Sequence, residues 1–186
     1  MVTSAHRLVG PAWRMAHGSV VLREFSDLDA TMAMELSTDP YVPLTGSLPP
    51  NASHQQALDW VHRQRGRLTE GVGFSFAIAE ASTDRAIGAI GLWLAALHQG
   101  RATAGYSVAP GARGHGVAAA ALTALTSFAW TITELHRIEL YIEPWNVASV
   151  KTAERAGYER EGLLRSQREI GGYRRDMLLY AAIRQA

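Results

Sequence analysis

Residues 101–143 constrain the fold more than any other part of the chain. An apolar strand, "RATAGYSVAP" (101–110), runs into a glycine-rich turn. An alanine-rich helical stretch follows to about Thr133, and "HRIELYIEP" (136–144) is a second strand. Strand, helix and strand joined this way form a right-handed crossover, so the two strands must be parallel neighbours in one sheet. The rest of the sheet has to be built around that pair.

On both sides the connections are too short for crossovers. "FSFAIAE" (74–80) and "AIGAIGLWLAAL" (86–97) are joined by a turn, and "HQG" leads into 101–110, which makes antiparallel hairpins. The tail "YEREGLLRSQREIGGYRRDMLLYAAIR" gives two more strands around Gly171-Gly172. "SVVLREF" (19–25) is the first strand. Two helices follow it, one opening at Ser26 and one at the capping box Ser53-x-x-Gln56. Between them lies the proline-rich loop "YVPLTGSLPPN". The order β-α-α-β-β-β-α-β-α-β-β predicts one α/β domain with a mixed sheet over 18–186, preceded by a leader at 1–17.

Composition narrows the function. The 186 residues suit a single core, 47% are apolar and the net charge is +1. No basic excess argues for nucleic acid, and no apolar run is long enough to span a membrane. There are no cysteines, which excludes disulfides, thiolate metal sites and a cysteine nucleophile. A cytoplasmic, metal-free protein is expected, as a monomer or homodimer.

The glycine-rich turn carries the chemistry. Gly114 and Gly116 bracket His115, and a helix N-terminus follows at Val117 and Ala118. Its unpaired N–H groups and dipole suit an anion, and glycine lets a bulky anion come close. The Walker ending Gly-Lys-Ser/Thr is absent, and the Rossmann glycine spacing fails. On residues alone the turn is either an anion cradle or a tight strand-to-helix joint. Arg63, Arg65 and Arg67 pose a similar choice: a solvated helix face, or a surface that attracts an anionic substrate or cofactor.

Arg113-x-x-Gly116-x-Ala118 resembles the acyl-CoA pyrophosphate signature of the GNAT acetyltransferase superfamily. At the expected distance Asn146-x-x-Ser149 is followed by Glu154-Arg155-Ala156-Gly157-Tyr158, similar to a second segment of that superfamily. The opening "LREFSDLDATMAMEL" and the closing hairpin resemble its branch of ribosomal-protein N-terminal (Rim-type) acetyltransferases. Together the likeness spans residues 18–184.

The resemblance implies a GNAT-like α/β fold with helices on both faces and a splayed parallel pair. It implies acetyl-CoA as co-substrate and an amine as acceptor, either a protein N-terminus or a small molecule such as an antibiotic. A CoA-binding domain without turnover is the non-enzymatic alternative. Arg113 and the amides of Gly114, His115, Gly116, Val117 and Ala118 would take the pyrophosphate. An amide near Ser107 or Val108 would polarise the thioester. Ser149 would protonate the leaving sulfur, with Asn146 as helix cap and second contact. The place of a frequent catalytic glutamate, two residues before Gly105-Tyr106, holds Thr103, so Glu143 acting through water is the candidate base. Tyr41, Tyr106 and Trp145 would wall the acceptor groove, and Glu35 or Asp39 would draw a cationic amine.

Overall fold

The computed structural model describes residues 13–185. Its sheet has the strands β1 (Arg14–His17), β2 (Val20–Arg23), β3 (Gly73–Glu80), β4 (Ala86–Trp93), β5 (Arg101–Val108), β6 (Arg137–Ile142), β7 (Glu159–Ile170) and β8 (Tyr173–Ile183). They lie in the order β1-β2-β3-β4-β5-β6-β8-β7. Among the described residues β5–β6 is the parallel pair, and every other pairing is antiparallel. The helices are α1 (Ala30–Ser37), α2 (Val42–Thr45), α3 (His54–Gly66), α4 (Val117–Ala129) and α5 (Val147–Arg155). None of the described helices is long and apolar enough to cross a membrane.

Alternation along the strands sorts the core into two layers. Phe74, Phe76 and Ile78 of β3 meet Leu122, Leu125 and Phe128 of α4 on one face. On the other face Ala77 and Ala86 are small, which lets Leu36, Ala57, Trp60 and Val61 of α1 and α3 pack close to the sheet. The Ser53–Gln56 capping box starts α3 as expected. The proline-rich loop is not all loop: Asp39 Oδ1 accepts from the amides of Tyr41 and Val42 and starts the single turn α2.

The sheet begins earlier than the sequence indicates. Arg14–His17, inside the expected leader, pairs with β2 as its edge strand. Trp13 lies edge-to-face against Phe74 and Phe128, with ring centroids 6.3 and 5.2 Å apart. Residues 1–12, the remainder of that leader, lie outside the described residues. Four residues, "RMAH", are too few to display a period-two pattern.

The parallel pair is short. Register runs Arg101↔Arg137, Ala102↔Ile138 and Thr103↔Glu139, then stops, although β5 continues to Val108 and β6 to Ile142. Glu139 fastens the point of divergence. It is 5% exposed and accepts from Arg137 Nε at 2.6 Å, Tyr141 Oη at 2.8 Å and Arg101 Nη1 at 3.5 Å. Burial alone would raise its carboxyl pKa. The hydrogen bonds from Arg137 and Tyr141, with the charges of Arg137 and Arg101, outweigh burial and hold it below the ordinary glutamate value.

Glu139→Gln should therefore cost about 3 kcal/mol at neutral pH, the lower end for a broken buried pair. A carboxyl pKa depressed by folding stabilises above its unfolded value near ~4.3 and loses that contribution as pH falls through the folded value. Urea midpoints of wild type and variant should thus begin to approach one another as pH falls below about 4.3 and converge once it is below the depressed folded value. A gap that persists there counts against the network.

Candidate active site

The splay opens a cavity of about 1180 Å³. That exceeds the ~300–1,000 Å³ of a site for one small ligand and leaves room for two substrates. On the α4 side it is lined by Val108, Gly114, Gly116, Ala118, Ser149 and Thr152. On the α1–α3 side it is lined by Tyr41, Arg67, Trp93, Thr103, Tyr141 and Glu143.

The glycine turn has the form of a cradle. Gly114 and Gly116 take φ of 84° and 75°, a left-handed conformation that glycine adopts at little cost. A Cβ built on either meets no heavy atom within 4 Å. The helix ladder starts with Ala120 N–H donating to the Gly116 carbonyl. Among the described residues, no group accepts from the amides of Gly114 to Ala119. His115 is exposed and contributes its amide, while the Val117 side chain is buried in the core. Lys151 and Arg155 of α5 line the same cavity.

Arg113 does not offer its charge to the cradle. Its Nε donates to the Val108 carbonyl at 2.9 Å and its Nη2 lies 2.7 Å from Asp39 Oδ2. Glu35, expected near an acceptor amine, accepts from the Gly111 amide at 3.2 Å and does not line the cavity. Asp39 does line it but is spent on Arg113 and on the start of α2. Its pKa falls despite burial, because the Val42 and Tyr41 amides and Arg113 favour the ionised form. These three residues tie the glycine turn to α1 and α2.

The exposed edge of β5 decides between Ser107 and Val108. A Cβ on Gly88 would lie 2.5 Å from the Ser107 carbonyl oxygen, so Ser107 directs its backbone groups at β4. Ala109 N–H likewise donates to Ile87. Backbone groups of successive residues face opposite edges. Those of Tyr106 and Val108 therefore face the splay, and the Val108 N–H is the donor there. The Ser107 amide is excluded.

Ser149 sits where Asn146 caps α5, its amide donating to Asn146 Oδ1 at 3.1 Å. That occupies the side-chain oxygen of Asn146. Tyr106, expected on the acceptor wall, instead reaches α5: its hydroxyl donates to the Ser149 carbonyl at 3.4 Å. Burial raises the Tyr106 pKa, with Ser149 and Thr152 opposing, so the phenol stays protonated. The rest of that motif is structural. Glu154 accepts from Tyr180 of β8 at 3.1 Å, and the Tyr158 hydroxyl meets Thr126 of α4 at 2.7 Å.

Tyr41 and Trp145 pack edge-to-face at 5.0 Å and 86°, and both line the cavity. Glu143 lies behind them, 4% exposed, with Arg175 Nε at 3.6 Å. Burial and then this carboxylate raise the Tyr41 pKa, against the pull of Arg168 and Arg175. Thr103 lines the cavity without a carboxyl, and its strand partner Glu139 is committed to its arginines. Trp93 escaped the sequence reading. Its ring lies over Gly91 and Gly105, whose built Cβ atoms would each come within 3.1 Å of it. Two glycines in the middle of strands are the signal that a large side chain crosses that face.

The model of the acetyltransferase (GNAT) domain matches residues 19–159. The chain belongs to the GNAT family. Uncharacterized N-acetyltransferase p20 of Bacillus licheniformis is 28% identical over 166 residues, which is 89% of this GNAT chain and 93% of that protein. Mycobacterium smegmatis RimJ, solved in complex with CoA-disulfide, superposes with a TM-score of 0.77 at 27% identity over 92% of this chain and 86% of that one. RimL, a ribosomal L7/L12 alpha-N-protein acetyltransferase solved with coenzyme A, has a TM-score of 0.75 over 92% and 98%; its 16% identity is a likeness of fold.

If Arg113 and Asp39 act as one brace, Arg113→Ala and Asp39→Ala should be non-additive. Urea unfolding of the single and double variants should give a coupling of at least about 0.5 kcal/mol. Additive losses would mean that the two loops are held independently.

Proposed function

We propose that this GNAT domain transfers an acetyl group from acetyl-CoA directly to a primary amine. The observation that carries the reading is the pair of unmet backbone sets in one cavity: the amides of Gly114–Ala119 and the Val108 N–H on the open β5 edge. The first set matches a pyrophosphate, each charge–dipole contact being worth about 0.3–1 kcal/mol. The second matches an extended amide chain pairing as an added strand. Acetyl-CoA, when bound, supplies the acyl group as a thioester.

The chain's own groups then divide the work. The Val108 N–H donates to the carbonyl oxygen as charge develops on it. Glu143, buried beside Tyr41, accepts the amine proton through water. The Ser149 hydroxyl donates toward the leaving sulfur, and Tyr106 holds the Ser149 backbone through its carbonyl. An α-amine, with an ordinary pKa near ~8, asks less of so modest a base than a lysine near ~10.4. A peptide N-terminus is accordingly the favoured acceptor, in keeping with the activity named for RimL. Thr103 in place of a glutamate supports a second reading, a CoA-binding domain without turnover.

Thiol release from acetyl-CoA against a panel of peptide and small amines tests the proposal. Ser149→Ala should lower kcat about 100-fold while acetyl-CoA affinity by calorimetry stays within about twofold. Tyr106→Phe should give a smaller loss of the same kind. No release with any amine, together with intact acetyl-CoA binding, would leave the second reading.

A further inference from the structure

Arg67 follows the last turn of α3, and its guanidinium carbon lies 5.1 Å from the centre of the Trp93 ring. The ring is fixed across the groove floor by Gly91 and Gly105, so Arg67 rests on a rigid plate. Stacking of this kind leaves the N–H edges of a guanidinium free to bond.

Every other half-buried arginine among the described residues is satisfied. Arg23, Arg101 and Arg137 meet carboxylates, and Arg184 meets the carbonyls of Trp130, Ile132 and Thr133. The Arg67 guanidinium has no hydrogen bond or ion pair among the described residues. Burial pulls its pKa below the ordinary arginine value, against the weaker field of Glu70. No fully buried side-chain nitrogen or oxygen lacks a partner, so its N–H groups open onto the cavity that it lines.

The opposite wall is also basic. Arg168 lines the cavity, and Arg175 stands across from it in the β7–β8 register. The carboxylates of the lining are Asp39, held by Arg113, and Glu143, contacted by Arg175. Such a groove repels a polycationic amine. It suits a molecule with its amine toward Glu143 and a negative group toward Arg67.

We propose that Arg67, seated on Trp93, is an anion-binding subsite of the acceptor groove, and that the acceptor is an amine bearing a carboxylate. This rests on the acetyl-transfer reading above. The carboxylate belongs either to an acidic residue near a peptide N-terminus or to a free amino acid, and matched probes separate the two.

The test is calorimetry on the coenzyme A-loaded protein with two pairs: Ser-Asp-amide against Ser-Asn-amide, and 4-aminobutyrate against 4-aminobutanamide. At least one carboxylate probe should bind about tenfold tighter than its amide partner, the lower end of the range for a charged hydrogen bond. The preference should vanish in Arg67→Met, which keeps the length of the side chain over Trp93. Preference in the peptide pair alone assigns the groove to protein N-termini; preference in the other pair alone assigns it to small amino acids. Equal affinities in both pairs, no binding by any probe, or an undiminished preference in Arg67→Met overturns the subsite. Thiol release with the same probes is scored separately. Carboxylate-selective binding without turnover keeps the subsite and removes the transferase reading; turnover without selectivity does the reverse.

Discussion

The structure depends on an incomplete strand pairing. β5 and β6 are forced to be parallel by the crossover through α4, yet they pair over three register positions and then part. A sheet that opens in its middle leaves backbone groups without partners in a largely buried setting. Each such group costs about 1–3 kcal/mol if nothing answers it. The Arg101–Glu139–Arg137 cluster stands at the last paired rung. The opening is thus a built feature, and the proposed occupants of its unmet groups are an extended, amide-bearing chain on one side of the sheet and its reaction partner on the other.

A second constraint links the two sides. The glycine turn belongs to the α4 face, and Tyr41 to the α1–α3 face. Asp39 joins them, because one carboxylate accepts from the start of α2 and pairs with Arg113 of the glycine turn. Glu35 adds a contact to Gly111. The glycine turn and the start of α2 thus share one carboxylate. Residues expected to meet substrate, namely Glu35, Asp39 and Arg113, instead set the relative position of the two half-sites.

Much of this was legible in the sequence, and what was not has physical reasons. The crossover, the hairpins and the capping box declare themselves through local pattern, because turn chemistry and alternation act over a few residues. The glycine turn was legible because positive φ restricts residue choice. Three things were hidden. β1 is too short to carry a period. The helix expected to open at Ser26 does not do so: a short 3-10 turn at 27–29 precedes α1 and breaks the 3.6-residue phase, which leaves Leu28 87% exposed. The partners of charged side chains were invisible, since Arg113 and Asp39 are distant in sequence and only the fold makes them neighbours. Tyr106 was misassigned for a related reason: which face of β5 a residue occupies follows from the register with β4, and near the splay one position decides between cofactor side and acceptor side.

The last of these points bears on specificity. Trp93 and Thr103 are register partners, so they share the acceptor face. A glutamate at 103 would have put a negative charge beside Trp93 and within the field of Arg67. Threonine removes that charge, and Arg67 is left without a carboxylate. Thr103 brings no carboxylate to that face, which leaves the groove more positive than a glutamate there would. Glu143 remains as a carboxylate for the amine, and Arg175 draws its charge in the opposite direction. A site so arranged has little means of attracting a simple cation by charge. It holds its acceptor by a second contact, and the free guanidinium on Trp93 is the group that can make one.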